Sequence, residues 1–142
     1  MNMNMNMNMN TNINNIMRFN IIDFVLVAII VIFLDSIFLF FMKNRFRKQL
    51  QKITGKPLSI NIIGVIACYI ILVFGLYYFV IYKNLSLFDS ALMGFIIYGV
   101  YETTSMATFA DWNILNAIID TIWGATLFVV TKILFDKIKL LL

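Results

Sequence analysis

The chain has 142 residues, of which 62% are hydrophobic and 13% charged, and its formal net charge is +4. Soluble domains are closer to half apolar and a quarter charged, and small domains bury the smallest fraction of their surface. This composition excludes an ordinary water-soluble fold and predicts a protein of the lipid bilayer. Because the chain has no histidine and only one cysteine, Cys68, the sequence predicts no intramolecular disulfide, no cofactor and no metal site.

The first residues are a low-complexity segment. Residues 1–10 are five Met-Asn repeats, and residues 11–16 continue in a polar, asparagine-rich composition. Because such a segment has no pattern that would pack a core, we interpret residues 1–16 as a disordered tail. Met17 directly precedes Arg18 and the first apolar run, so it offers an alternative translation start.

Four long apolar runs follow, at about residues 20–42, 60–82, 87–107 and 113–135. Each is close to the ~20 residues that a helix needs to cross the hydrocarbon core. The runs are too long for strands and lack the alternation of barrel strands, and only helices and closed barrels satisfy the backbone in lipid. The sequence therefore predicts an all-α integral membrane bundle of four transmembrane helices within residues 17–142, with the first run retained rather than cleaved.

The segment between the first two runs, residues 43–59, is basic and contains no acid. Gly55 and Pro57 break helices, so we predict a loop here. The positive-inside rule places this loop in the cytoplasm and both termini outside, although five basic residues on the opposite side nearly balance its six. We predict that the loop contacts anionic lipids rather than nucleic acid. The side chains concerned are Lys43, Arg45, Arg47, Lys48, Lys52 and Lys56.

Three acids interrupt the apolar runs: Asp35, Glu102 and Asp120. An acid at the centre of a membrane helix costs roughly 2.5–3.5 kcal/mol on insertion scales. In a four-span arrangement all three lie on the side of the basic loop, each roughly 8–11 Å in from that side at 1.5 Å per residue. Three other acids lie near helix ends or in a loop, and we expect them to be solvated. These are Asp23, Asp89 and Asp111.

The three acids and their polar neighbours form the candidate site. No basic residue lies at their depth, and close carboxylates share protons or bind cations, so one hypothesis is a pocket for a small polar ligand, a cation or a lipid headgroup. Such a pocket would suit a transporter or a lipid-modifying enzyme, and the sequence does not decide between them. The alternative is a structural or assembly protein in which each acid only fixes helix packing. The candidate residues are Asp35, Tyr98, Tyr101, Glu102, Thr104, Ser105, Asp120 and Trp123.

Small residues indicate where helices approach each other. Ala117, Thr121 and Ala125 recur at a spacing of four beside Asp120, which places this acid towards the bundle interior. We interpret Ser90 and Gly94 as a packing notch and Trp112, at a predicted helix boundary, as an interfacial anchor. Because four helices leave little room for a permeation path, a homo-oligomer is a further expectation.

Two motifs carry a family resemblance. Residues 98–108 read YGVYETTSMAT, and residues 120–124 read DTIWG after an intervening Asp111-Trp112 pair. With Leu34-Asp35 in the first run and Phe46-Arg47-Lys48 in the basic segment, this order resembles the domain of unknown function 2177 family of small predicted membrane proteins.

The resemblance covers about residues 21–128. It implies a four-helix membrane protein, gives no substrate, and ties Asp35, Glu102 and Asp120 to motif positions, which favours a shared site. Glu102 stands where the family usually has aspartate, and Ser105 where it has asparagine. The abundance of Asn, Ile and Lys is typical of an AT-rich genome, such as that of a large DNA virus.

Overall fold

The computed structural model describes residues 20–57 and 59–141, so the predicted disordered tail, residues 1–16, lies outside the described part of the chain. The described residues are all-helical, as predicted, and contain no strand. They form α1 (Ile21–Thr54), α2 (Ile62–Gly75), α3 (Leu87–Thr108) and α4 (Ile114–Leu141). α2 continues directly into a π-helical turn, Leu76–Tyr82.

The first three helices begin at side-chain caps. Asn20 accepts hydrogen bonds from the first backbone amides of α1, and Asn61 does the same for α2. At the start of α3, the Ser86 hydroxyl accepts from the Asp89 amide and donates to the Asp89 carboxylate at 2.7 Å. Each cap satisfies amides that have no partner within the helix, so the helix starts are fixed locally by sequence.

α1 continues well past the predicted first span. Residues 43–54, predicted as loop, are helical, and the helix ends only at Gly55, whose φ of 65° lies in the left-handed region. Lysine, arginine and glutamine are good helix formers, so a basic composition does not end a helix, whereas a glycine does. With 34 residues, α1 is about 51 Å long, about 20 Å more than the hydrocarbon core. Residues 43–54 are called the basic extension below.

α3 and α4 approach each other closely. A Cβ atom at Gly94 would overlap the carbonyl group of Gly124, and one at Gly124 would overlap the ring of Tyr98. Ser90, one turn before Gly94, is fully buried. The packing notch predicted at Ser90 and Gly94 is confirmed, because Gly94 has no side chain to separate the two helices and Ser90 is small enough to be fully buried one turn away.

α2 packs on the bundle through its second half only. Its first buried residue is Val73, and the π-helical turn then buries Leu76, Tyr77 and Val80. The N-terminal half, residues 62–68, is exposed. α2 therefore stands away from the bundle at the end where the basic extension lies.

Polar contacts join the helix ends at the opposite end of the bundle. Lys139 forms an ion pair with Asp23 at 3.0 Å, so Asp23 is not simply solvated as expected. Lys132 donates to Asn84 and to Asp136, both at 3.0 Å. Lys132 is only 6% exposed. A buried ammonium needs such partners, and the side chain therefore remains inside the bundle instead of reaching outward to water.

Three helices are long and apolar enough to cross a membrane: Ile21–Thr54, Ile62–Tyr82 and Ile114–Leu141. α3 is not among them, because its second half carries Glu102 and three consecutive hydroxyl residues, 103–105. Large apolar side chains cover the outer surface, with Ile63 76% and Phe41 75% exposed. Such a surface is stable in lipid and not in water.

Candidate functional site

A partly open cavity of about 720 Å³ lies between α1, α2, α3 and the first half of α4. Its walls are mostly apolar, and three acids and three tyrosines contribute to them. The lining residues are Asp35, Leu39, Phe46, Gln49, Leu50, Asn61, Gly64, Val65, Cys68, Tyr69, Leu72, Ile97, Tyr98, Tyr101, Glu102, Trp112 and Asp120.

The Asp35 carboxylate joins three helices. Its Oδ2 accepts from the Tyr69 hydroxyl of α2 at 2.5 Å, and its Oδ1 accepts from the indole N–H of Trp123 of α4 at 2.9 Å. The Trp123 ring is stacked on Phe38, with ring centroids 4.5 Å apart, so the donor is held in place. Asp35 is thus buried with both oxygens satisfied.

Glu102 is the most buried of the three acids, at 2% exposed. Its Oε2 accepts from the indole N–H of Trp112 at 2.6 Å. Trp112, interpreted from the sequence only as an interfacial anchor, therefore holds an acid of the cavity from the loop between α3 and α4.

Asp120 completes the acid cluster. Its side chain is buried and lines the same cavity as Asp35 and Glu102. The three acids for which the sequence indicated a common depth therefore line one cavity.

No basic side chain pairs with these three acids in the described part of the chain. The ion pairs found there are Lys52–Asp111, Lys132–Asp136 and Lys139–Asp23. The donors that reach Asp35 and Glu102 are neutral hydroxyl and indole groups. The cavity therefore carries acidic groups without a protein cation.

The other candidate residues divide into two groups. Tyr98 and Tyr101 line the cavity, and Ser105 is buried behind it with its hydroxyl donating to the Tyr101 carbonyl at 2.8 Å. Trp123 lies outside the lining but holds Asp35. Thr104 is exposed and does not line the cavity.

Two contacts in and near the candidate site were not anticipated from the sequence. Tyr69 lies in an uninterrupted apolar run, where a tyrosine gives no signal of a carboxylate partner. Gln49 of the basic extension accepts from the Asn116 side chain at 2.6 Å, and both are buried. These two residues lie 67 residues apart in the chain. The contact could have been predicted only if α1 had been known to continue as a helix beyond the predicted span.

Comparison with known proteins gives a family and no function. A family model described as predicted membrane protein (DUF2177) matches residues 20–134, which include every candidate residue. No curated protein and no solved structure matches the chain. The match, together with three helices able to cross a membrane, indicates an integral membrane protein. The chain therefore belongs to the predicted membrane protein family DUF2177.

Proposed function

We propose that this multi-pass protein spans the bilayer with four helices and binds a cation in the acidic cavity near one membrane face. One observation carries the proposal: Asp35, Glu102 and Asp120, from three different helices, line a single cavity without a basic partner. Buried carboxylates are costly unless their charge is compensated. A cationic ligand would supply the compensation that the described residues do not.

The proposal is tested by tryptophan fluorescence of the protein in nanodiscs, titrated with sodium, calcium and tetramethylammonium chlorides. The chain has two tryptophans, and both donate to acids of the cluster, so their emission reports on the site. We expect Asp120→Asn to weaken the affinity for the bound cation at least tenfold, because the amide has nearly the same shape as the carboxylate but lacks its charge.

The matched control is Asp89→Asn, which removes an exposed carboxylate at the start of α3, remote from the cavity lining. It is expected to leave the affinity unchanged. Equal affinities of the wild type and Asp120→Asn would contradict cation binding at the cluster.

Cation binding is expected to strengthen as the pH rises. The titratable side chains that line the cavity are Asp35 of α1, Cys68 and Tyr69 of α2, Tyr98, Tyr101 and Glu102 of α3, and Asp120 of α4. Because a cation bound by carboxylates exchanges with the protons that they would otherwise bind, Kd should fall by up to about tenfold per pH unit where one proton leaves per cation. Fluorescence titrations between about pH 5 and pH 9 measure this, and a constant Kd would exclude the exchange.

The four-span arrangement makes α3 a membrane-crossing helix, with the basic extension on the cytoplasmic side. Single cysteines in a Cys68→Ser background test it with an impermeant thiol reagent. Cysteines at Arg47 and Ala110 should be labelled from the cytoplasmic side, and a cysteine at Lys83 from the other side. Labelling of the Lys83 and Ala110 positions from the same side would show that α3 does not cross.

We also propose that the basic extension binds anionic lipid headgroups. Lys43, Arg45, Arg47 and Lys48 are exposed along it, and the helix extends beyond the hydrocarbon core. Each basic side chain near an anionic surface contributes about 1 kcal/mol. Lys56 follows the helix, whereas Lys52 is paired with Asp111.

The homo-oligomer considered from the sequence stays a prediction.

A second candidate function is structural, and the Asp35 contacts favour it. This one carboxylate connects α1 to α2 and α4 through Tyr69 and Trp123. In that case the acids specify helix packing and bind no ligand, and Asp120→Asn would leave folding and assembly intact.

A further inference from the structure

The shape of the cavity carries information beyond its charge. In α2 the lining runs from Asn61 to Leu72, about 16 Å along the helix axis. Asp35 is held by Tyr69, so the acid lies roughly 12 Å deeper than Asn61. The cavity is therefore elongated, with the Asp35 carboxylate well inside it rather than at its outer end.

Most of the remaining wall is apolar. Leu39, Val65, Leu72 and Ile97 line the cavity. Residues 62–68 of α2 are exposed, and α2 joins the bundle only from Val73 onward. Because the first half of α2 is exposed and borders the cavity, the cavity wall there is continuous with the apolar outer surface.

We propose, as an extension of the cation-binding function, that the ligand is a lipophilic ammonium ion that reaches the cavity from the bilayer. The acids complement its charge, and the faces of Tyr69, Tyr98 and Trp112 favour an ammonium group. The apolar wall accommodates a hydrocarbon chain or ring. A volume of about 720 Å³ suits an organic ligand of this size.

A bare metal ion fits the site less well. Metal ions require several oxygen, nitrogen or sulfur ligands converging on one point. The described residues contain no group of three or more acidic, histidine or cysteine side chains arranged to hold one. A metal ion would also leave the long apolar wall without a role.

The lone cysteine provides the first test. Cys68 lines the cavity and is exposed, so its alkylation by N-ethylmaleimide in nanodiscs reports occupancy. Decyltrimethylammonium is expected to slow alkylation at least tenfold. Tetramethylammonium, which lacks the chain, and decyl maltoside, which lacks the charge, are expected to slow it much less.

The outcomes separate this inference from the proposed function. Protection by tetramethylammonium or calcium equal to that by decyltrimethylammonium would overturn the lipophilic ligand and leave cation binding standing. Equal protection by decyl maltoside at the same bilayer mole fraction would show that the cavity does not distinguish a charged headgroup from an uncharged one, and would also overturn the inference. Absence of protection by every cation would remove both.

Two glycines of α2 provide matched variants. A Cβ at Gly64, in the cavity lining, meets only the Asn61 side chain at 3.8 Å, and a Cβ at Gly75, outside the lining, meets nothing within 4 Å. Gly64→Leu therefore fills the cavity and Gly75→Leu does not. By tryptophan fluorescence, we expect Gly64→Leu to weaken decyltrimethylammonium binding at least tenfold while tetramethylammonium still binds.

Gly75→Leu should bind both ions with the affinity of the wild type, and Asp120→Asn should bind both at least tenfold more weakly. Unchanged decyltrimethylammonium affinity in Gly64→Leu would place the chain outside this cavity and overturn the inference.

Discussion

Replacement of Gly94 by alanine is expected to lower the free energy of unfolding by about 2–3 kcal/mol, because overpacked contacts cost this much when the backbone cannot yield. The new Cβ would overlap the carbonyl oxygen and carbon of Gly124 and meet the Phe128 ring. Since two of these atoms belong to the backbone of α4, α3 and α4 would have to separate. Unfolding in mixed micelles with increasing sodium dodecyl sulfate, followed by circular dichroism, measures the loss.

The control is Gly75→Ala, also within a helical part of the chain. Nothing lies within 4 Å of a Cβ at Gly75, and alanine is the better helix former by about 1 kcal/mol. This variant should be as stable as the wild type or more so. If both variants unfold at the same detergent fraction as the wild type, the close backbone contact between α3 and α4 is not present in the membrane.

Asp35→Leu is expected to destabilise the protein by about 2 kcal/mol or more. The change removes the acceptor of the Tyr69 hydroxyl and of the Trp123 indole N–H. A buried donor left without a partner costs about 1–3 kcal/mol. Asp35→Asn retains one acceptor oxygen in a similar position. Its free energy of unfolding should therefore fall by less than half as much in the same assay.

Trp123→Phe separates hydrogen bonding from packing, because phenylalanine keeps a ring against Phe38 and lacks the N–H. The free energy of unfolding should fall less in Trp123→Phe than in Asp35→Leu, since the hydrogen bond from Tyr69 to Asp35 remains. If Asp35→Leu is as stable as the wild type, the hydrogen bonds of this carboxylate do not hold the helices together, and the structural interpretation of the cluster loses its main support.

The positions of the acids could be predicted from the sequence because charged residues are rare within apolar helices. Helix spans, alternating direction and a rise of 1.5 Å per residue place Asp35, Glu102 and Asp120 at one level. Residues that look ordinary in an apolar run could not be identified in this way. Tyr69 lies among isoleucines and leucines, and its role depends on the side of α2 that faces Asp35, which a uniformly apolar run does not indicate.

The extent of α1 was the main error in the predicted elements. Hydropathy marks where a helix leaves the hydrocarbon core, and backbone hydrogen bonding continues as long as the residues favour it. The basic extension is therefore helical although it is polar. This continuation places Gln49 against Asn116 and Lys52 against Asp111, so two contacts between distant segments could not be anticipated from a loop.

The π-helical turn in the second membrane helix determines which residues its two halves direct inward. A π turn contains one residue more than an α turn, and one residue corresponds to about 100° around the helix axis. Val80 packs in the core after the start of this turn, and Tyr69 meets Asp35 before it. In an uninterrupted α-helix that kept Val80 in the core, Tyr69 would be rotated about the helix axis by roughly a quarter of a circle, away from Asp35. Deletion of one residue from Leu76–Tyr82 would therefore turn a different set of α2 side chains towards the cavity, while Val80 would keep its place in the core.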